Sequence, residues 1–190
     1  MILPLDLGPD SYDIVIERGS LTRAGEYLDL NRKVLIVTDN VVPAEYSKMV
    51  AACCREAHIY SFEPGEESKS IQTFEKLLVT MLRAGFSRKD CVVAVGGGVV
   101  GDIAGFTASA YMRGVDFYNI PTTVLSQVDS SIGGKTAVNL DCIKNIVGAF
   151  YQPKKVLIDV NVLKTLPARQ IASGLAESVK MALTSDEELF

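Results

Sequence analysis

One stretch limits what this chain can fold into more than any other: residues 91–113, CVVAVGGGVVGDIAGFTASAYMR. Its first five residues are apolar and mostly β-branched, which is typical of a strand buried on both faces of a parallel sheet. The glycines at 96–98 let backbone N–H groups approach a ligand closely. From Val99 to Ala110 apolar residues recur at helical spacing, so the glycines lead into a helix N-terminus, where phosphate is favoured. The stretch predicts a strand, a phosphate-binding loop and a helix.

Within it, Gly96, Gly98 and Gly101 match the pattern G-x-G-x-x-G, which alone is a weak sign of dinucleotide binding. Such fingerprints normally lie in the first βαβ unit of a fold, whereas about ninety residues precede this one. Asp116 lies roughly where a ribose-binding acid is expected, but we do not favour it for that role. The alternative is a glycine-rich turn without a ligand, and the entropic cost of three successive glycines argues against it.

The composition excludes several classes of protein. A net charge of −4 over 190 residues argues against a general nucleic-acid binder, which needs a basic face. The chain has no apolar run long enough for a membrane span, and its start, MILPLDLG, lacks the features of a signal peptide. We expect a cytoplasmic protein without nucleic-acid or membrane partners. The four cysteines form no C-x-x-C pair, and we expect them to be reduced and structural.

Alternating strand and helix patterns predict an α/β fold with a mostly parallel, doubly wound sheet. Strands are predicted at 2–7, 12–17, 33–38, 58–62, 91–95 and 117–120, the first two forming an N-terminal β-hairpin. Further helices are predicted at 20–28, with Ser20 as the N-cap, at 43–56 and from residue 71 to Gly85. The last carries an apolar stripe that we assign to the core: Ile71, Phe74, Leu77, Leu78, Met81 and Leu82.

After Pro121 the chain is rich in small polar residues, glycines and lysines and has only weak periodicity, which is typical of a segment that lines a site. From Pro167 the pattern is helical again, and we interpret it as the start of a mainly helical second domain. Asp39 and Asn40 follow a predicted parallel strand, and they either hydrogen-bond a ribose or form a helix cap or turn.

Candidate substrate-binding side chains cluster downstream of the glycines, between residues 122 and 145. They are Thr122, Thr123, Asp129, Lys135, Lys144 and Asn145. Together they provide hydrogen-bond donors, a carboxylate and two cations, which suits a polyhydroxylated, anionic substrate. For two of these residues considered alone, the alternative to a binding role is structural: Lys144 as a surface lysine and Asp129 as a turn residue.

Several motifs in a fixed order resemble the 3-dehydroquinate synthase family of the shikimate pathway. They are GGGVVGD at 96–102, YMRG at 111–114, PTT at 121–123, VDSSIGGKT at 128–136, KN at 144–145, QP at 152–153 and GLAESVK at 174–180. The resemblance runs over nearly the whole chain and is dense from residue 64 onward. A set of ordered motifs is far more specific than any one of them.

The resemblance implies an NAD-binding α/β domain, here residues 1–165, and the beginning of a helical metal and substrate domain, here residues 166–190. It implies a carbon–oxygen lyase that converts 3-deoxy-D-arabino-heptulosonate 7-phosphate to 3-dehydroquinate and phosphate in the cleft between the domains. The resemblance further implies that NAD is regenerated in each turnover, that a divalent metal (zinc or cobalt) assists, and that the protein is a homodimer.

The resemblance also assigns roles to residues. The cofactor-binding positions are Asp39, Pro64, Gly65, Glu66, Glu67, Ser68, Lys69, Gly97, Gly98, Val99, Val100, Gly101, Asp102, Thr122, Thr123, Lys135, Lys144, Val162, Leu163, Lys164 and Thr165. The catalytic and substrate-binding positions are Arg113, Asp129, Lys135, Lys144, Asn145 and Lys180, with Arg113 acting across the dimer interface. Glu177 resembles a metal ligand, and its alternative role is an ordinary ion pair with Lys180 on one helix face.

The chain departs from the family at the metal. The family supplies two histidines besides the glutamate, whereas this chain has only His58, which lies in the cofactor half and which we expect to be structural. We therefore expect a truncated chain that binds the cofactor but is inactive alone. Three other functions remain open: another sugar-phosphate cyclase such as a 2-deoxy-scyllo-inosose synthase, a metal-dependent polyol dehydrogenase, and a non-catalytic nucleotide-binding module.

Overall fold

A parallel sheet with helices on both faces organises the chain in the computed structural model, which describes residues 1–185 and residue 188. The strands are β1 (Ile2–Leu5), β2 (Tyr12–Ile16), β3 (Lys33–Asp39), β4 (Glu56–Phe62), β5 (Cys91–Gly96), β6 (Asp116–Pro121), β7 (Lys135–Leu140), β8 (Ile143–Phe150) and β9 (Lys155–Ile158). The α-helices are α1 (Ala24–Tyr27), α2 (Ala44–Ala51), α3 (Ile71–Arg83), α4 (Gly98–Ala110) and α5 (Ala168–Ser185).

Across this described part of the chain, seven strands form one sheet in the order β1-β2-β9-β6-β5-β3-β4. Neighbouring strands are parallel except β1 and β2, which form the predicted antiparallel hairpin. The remaining strands, β7 and β8, form a separate antiparallel hairpin. The predicted α/β class with a mostly parallel sheet is confirmed.

The central strands are buried on both faces, as their apolar sequences predict. In β3, Val34 and Ile36 point into a core formed with α1 and α2, while Leu35 and Val37 point into a core formed with α3 and α4. All four side chains are fully buried. Helices therefore cover both faces of the sheet, which makes the fold doubly wound.

The predicted N-cap at Ser20 is wrong. Residues Ser20–Arg23 form a 3-10 turn that precedes α1, and its N-cap is Gly19 at φ 73°. The side chain that satisfies the backbone here is Asp159, which follows β9 and accepts hydrogen bonds from the N–H groups of Gly19 (3.0 Å) and Leu21 (3.2 Å). A carboxylate 140 residues away in sequence replaces the local hydroxyl.

Two helix predictions need correction, one in the residue at which the helix ends and one in its apolar stripe. The helix predicted at 43–56 ends at Ala51, because Glu56 already begins β4 and pairs with Lys33. In α3 the stripe packs as predicted except for Leu82, which is 69% exposed. Ser70 caps this helix by accepting a hydrogen bond from the N–H of Thr73.

The region after Pro121 is more regular than its composition suggested. It contains the hairpin β7–β8 and the strand β9, which lies inside the main sheet between β2 and β6. The hairpin packs on α4 at Gly105, where a Cβ atom would lie 2.4 Å from Cγ2 of Thr136. Only a glycine permits this close approach, so α4 holds the hairpin over one face of the sheet.

An ion-pair cluster closes the amino ends of the strands. Arg32 is only 12% exposed, and it donates to Asp116 (2.6 Å), to the Tyr118 hydroxyl (2.8 Å) and to the Lys89 carbonyl (3.2 Å). Asp116 therefore lies at the amino end of β6, on the opposite edge of the sheet from the glycines, and it is excluded as the ribose-binding acid. No helix within residues 1–185 is both long and apolar enough to cross a membrane.

Replacing Arg32 tests how much this cluster stabilises the sheet. We expect Arg32→Met to lower the free energy of unfolding by about 2–3 kcal/mol, because the half-buried Asp116 and the buried Tyr118 lose a donor. Urea denaturation followed by circular dichroism measures the change. The matched control is Arg23→Met, which removes exposed ion pairs to Glu17 and Glu26 and a cation–π contact with Tyr27 and should cost less than about 1 kcal/mol. Equal losses for the two variants would contradict this ranking.

Candidate functional site

The carboxyl ends of β5 and β6 meet beside the start of α4, and ligands of parallel sheets bind at such an edge. The N–H of Thr122, just after β6, donates to the carbonyl of Gly96 at the end of β5 (2.9 Å). Helix α4 begins at Gly98, two residues after Gly96. Its free N–H groups therefore face this edge of the sheet, as the strand–loop–helix pattern predicts.

Close packing explains the glycines better than a sharp turn does, because none of Gly96, Gly97 and Gly98 has a positive φ. A Cβ on Gly97 would lie 3.2 Å from Cγ2 of Thr123, and one on Gly98 would lie 2.9 Å from Oγ of Ser130. The helix start is thus a narrow backbone cradle bordered by two hydroxyl-bearing side chains. Such a cradle suits a phosphate group.

A buried lysine joins this cradle to the hairpin β7–β8. The Lys69 Nζ donates to a carboxylate oxygen of Asp102 in α4 and to the side-chain carbonyl of Asn145 in β8. Its side chain is only 5% exposed. Burial raises the pKa of Asp102 above its usual value, Lys69 opposes that rise, and the nearby charge of Glu66 adds to it. Three residues that the sequence assigned to the site therefore contact one another.

A cavity of about 470 Å³ lies between α4, the hairpin and the turn Ser126–Ser130. Four predicted site residues line it: Asp102, Asp129, Lys135 and Asn145. Ser130, Ile146 and Phe150 also line it. Its size is within the range for small-molecule sites, and its walls combine carboxylates, a cation and apolar side chains.

Helix α5 carries two more predicted residues, Glu177 and Lys180, neither of which lines the cavity. It packs against the segment after β6 at Gly174, where a Cβ would lie 2.4 Å from Cβ of Val124. Glu177 and Lys180 form an ion pair on this helix. The hydrogen bond to Glu177 raises the pKa of Lys180, and the charge of Asp129 adds to this effect. Lys180 is thus close enough to Asp129 to feel the charge at the cavity wall.

Other predicted positions lie apart from the cavity. Arg113 is exposed and follows the C-terminal end of α4, whereas the cradle is at the N-terminal end. Lys144 is exposed on β8 and does not line the cavity. The segment 162–165 packs against α2 through Tyr46, whose hydroxyl bonds Oγ1 of Thr165 (2.9 Å).

The predicted ribose position lies at the same sheet edge, after β3. Asp39 Oδ1 accepts hydrogen bonds from the N–H groups of Val41 and Val42, both at 3.1 Å. Asn40 donates to Glu63 (2.8 Å) in the loop after β4. The turn-forming role is therefore present at Asp39.

Comparison with known proteins identifies the family. The sequence model described as 3-dehydroquinate synthase N-terminal matches residues 59–173. The chain belongs to this family. A 3-dehydroquinate synthase from Alkaliphilus metalliredigens is 47% identical over 191 residues, which are 99% of this chain and 53% of that protein. The chain therefore spans about half the length of the curated relatives that it matches.

Solved structures of sugar-phosphate cyclases share the fold. A 2-epi-5-epi-valiolone synthase from Streptomyces hygroscopicus with NAD⁺ and Zn²⁺ bound is 35% identical, with a TM-score of 0.87 over 97% of this chain and 52% of that one. A 2-deoxy-scyllo-inosose synthase in complex with carbaglucose-6-phosphate, NAD⁺ and Co²⁺ is 30% identical, with a TM-score of 0.89 over 96% of this chain and 51% of that one.

The metal ions of these solved structures have no complete site among the residues that the structure describes. Within residues 1–185 and 188, no three His, Cys, Asp or Glu side chains are grouped so as to hold a metal ion. His58 lies on the edge strand β4 and pairs with Glu56 at 2.9 Å, which agrees with its predicted structural role. Glu177, the predicted metal ligand, contacts Lys180, and the described residues do not by themselves fit a metal ion.

Sequence reasoning missed Asn139, which lies at the end of β7. Its side chain contacts both Glu66 and the backbone of Asn145, and its own N–H donates to the carbonyl of Lys69 (2.8 Å). A polar residue in the apolar alternation TAVNL was the only signal in the sequence. It could not reveal these partners, because the hairpin itself was not predicted.

Removing the buried lysine should destabilise the chain. We expect Lys69→Met to lower the free energy of unfolding by at least about 2 kcal/mol at pH 7, because Asp102 remains buried without its counter-charge. The raised pKa of Asp102 determines how the stability deficit of Lys69→Met changes with pH. Its carboxyl takes up a proton more readily in the folded state, so the deficit should be largest above that pKa and shrink as the pH falls.

Urea denaturation between pH 4.5 and 7.5 measures this deficit. Lys144→Met is the matched control, since Lys144 is an exposed lysine of the same hairpin region, and it should change stability by less than about 0.5 kcal/mol. The double variant Lys69→Met/Asp102→Asn should recover part of the loss. A deficit independent of pH and of Asp102 would refute the ion-pair explanation.

Proposed function

We propose that this chain is the NAD-binding part of a 3-dehydroquinate synthase. The observation that carries the proposal is the buried contact of Lys69 with Asp102 and Asn145, beside the glycine cradle and the cavity. It brings predicted cofactor and substrate positions into one site. Residues 1–165 would hold the cofactor, and residues 166–190 would begin the domain that completes the site.

The cradle fits a dinucleotide phosphate on structural grounds. Side chains at Gly97 and Gly98 would meet Thr123 and Ser130, which border the start of α4. Residues 64–69 lie across from α4 because Lys69 joins them to Asp102. The chemistry that NAD would supply is reversible hydride transfer with a hydroxyl of the substrate.

The cavity residues suit the sugar-acid phosphate that the family acts on, 3-deoxy-D-arabino-heptulosonate 7-phosphate. Lys135 and Lys180 would hold the anionic groups as point charges. Asn145 and Asp129 would donate to and accept from substrate hydroxyls. Release of phosphate makes the reaction a carbon–oxygen lyase step.

Sequence identity favours this activity over that of the other cyclases. The chain is 47% identical to a 3-dehydroquinate synthase and 30–35% identical to two cyclases that form other products. A substrate panel on a protein that carries this chain together with the completing domain separates the possibilities: phosphate release from the heptulosonate phosphate supports the synthase, and release from glucose 6-phosphate alone supports an inosose synthase.

The metal and the second copy belong to the same proposal. Glu177 would supply one ligand to zinc or cobalt, and the other ligands would come from outside the described residues. The protein would act as a homodimer, in which Arg113 of a second copy reaches the substrate phosphate. The exposure of Arg113, and its place at the far end of α4 from its own cradle, support this arrangement.

Filling the cradle should abolish cofactor binding. We expect Gly98→Val to raise the Kd for NAD⁺ at least about 100-fold, because a side chain there meets Ser130 and occupies the phosphate position. Isothermal titration calorimetry measures the Kd. Gly25→Ala is the control, since its Cβ would meet only Cys53 at ordinary contact distance. NAD⁺ binding that survives Gly98→Val would show that the cradle is not the site.

The chain should bind NAD⁺ but not turn over. Because the described residues lack a complete ligand set for a metal, we expect no phosphate release from the heptulosonate phosphate with NAD⁺ and Zn²⁺ or Co²⁺ added. A colorimetric phosphate assay measures this, with a full-length family member as the positive control. Sustained release by the 190-residue chain would overturn the inactivity proposal.

A further inference from the structure

We propose that Asn139 is a positioning residue for the cofactor site. It sets the affinity for NAD⁺ by holding two binding segments in fixed positions relative to each other. The inference rests on the proposed NAD-binding function. One segment is the loop after β4, which carries Glu66 and Lys69, and the other is the start of β8, which carries Asn145. Asn139 lies between them and contacts both.

The backbone of Asn139 fixes the loop after β4. Its N–H donates to the Lys69 carbonyl (2.8 Å), and Ser70 and Asn139 form an isolated parallel bridge. The pairing of β7 with β8 shifts register between Val138 and Leu140. Asn139 lies at that shift, so its backbone N–H bonds the neighbouring loop instead of the hairpin partner.

Both polar atoms of the Asn139 side chain form hydrogen bonds. Its Nδ2 donates to Oε1 of Glu66 (2.9 Å) and more weakly to the Glu66 carbonyl (3.4 Å). Its Oδ1 accepts from the N–H of Asn145 (2.9 Å). A side chain of this size with both a donor and an acceptor is an amide. Aspartate would keep the acceptor and lose the donor, and leucine would lose both.

These contacts set the position of the Lys69 ammonium group. Asn145 has a φ of 55°, which costs free energy for a non-glycine residue, and the bond to Asn139 holds its backbone there. In that conformation the Asn145 side chain reaches Lys69 Nζ. Asn139 therefore holds the carbonyl of Lys69 on one side and the partner of its ammonium group on the other.

The main support for the hairpin lies elsewhere. Val138 is fully buried in the core, and Thr136 packs against Gly105, whereas Asn139 is half-buried. A substitution at Asn139 should therefore weaken NAD⁺ binding while leaving most of the folding stability intact. A residue needed only for stability would change the melting temperature and the affinity together.

The first test is Asn139→Asp, with NAD⁺ affinity measured by calorimetry. The new carboxylate keeps its bond to Asn145 but faces the carboxylate of Glu66, and the two charges repel. We expect the Kd to rise about tenfold, with little change in the melting temperature. The hairpin-tip variant Cys142→Ser, at an exposed position, is the matched control and should leave the Kd unchanged.

The second test reverses the polarity of the contact. In Asn139→Asp/Glu66→Gln the glutamine amide donates to the aspartate, so the hydrogen bond is restored in the opposite direction. We expect this double variant to bind NAD⁺ within about twofold of Glu66→Gln alone. A Kd for Asn139→Asp equal to that of the wild type, or a full additional loss in the double variant, would overturn the proposal.

The positioning and the proposed function fail in different ways. If the wild-type chain does not bind NAD⁺, the proposed function is wrong, and hydrogen exchange at the Asn145 amide still tests the positioning. Asn139→Leu removes the acceptor and should speed that exchange about tenfold, whereas Asn139→Asp should not. An exchange rate unchanged in Asn139→Leu would show that Asn139 does not hold Asn145.

Discussion

The ammonium group of Lys69 is the contact on which the candidate site depends. A lysine with so little exposure is tolerated only when charged and polar partners replace its water. Here those partners come from two separate elements, Asp102 in α4 and Asn145 in β8. The requirement to compensate one charge thus joins the loop after β4, the glycine-led helix and the hairpin. The same contact brings together Asp102 and Asn145, which form part of the cavity wall.

Much of the fold could be predicted because its central strands are apolar without interruption. Residues 33–38 and 91–95 carry the signature of burial on both faces, and both are confirmed. The failures concern interactions between distant parts of the chain. Asp159 caps a turn near residue 20, and the short strand β9 owes its existence to β2 and β6 on either side. Local propensity favours a strand at KVLI, but it contains no information about these distant partners.

In the candidate site too, the residues could be predicted from local sequence, whereas the contacts between distant parts of the chain could not. Asp102, Asp129, Lys135 and Asn145 were predicted from ordered motifs, and they line one cavity. Asn139 was missed because its partners at 66–70 lie about seventy residues away and are reached only through a hairpin hidden in a glycine-rich, polar sequence. Residue types reveal which chemistry a segment can perform. The contacts that aim those residues follow from packing, such as that of Gly105 against Thr136.

The position of β9 has a consequence for how the chain can assemble. Since β9 separates β2 from β6, the first two strands have no neighbour in the main sheet until residues 155–158 are present. A two-stranded hairpin alone is marginally stable in water, and the carboxylate that caps residues 19 and 21 also follows β9. Strands β1 and β2 are therefore synthesised before β9 but join the sheet only after it. Contacts of such long range slow folding, and the amino-terminal strands stay available to other partners meanwhile.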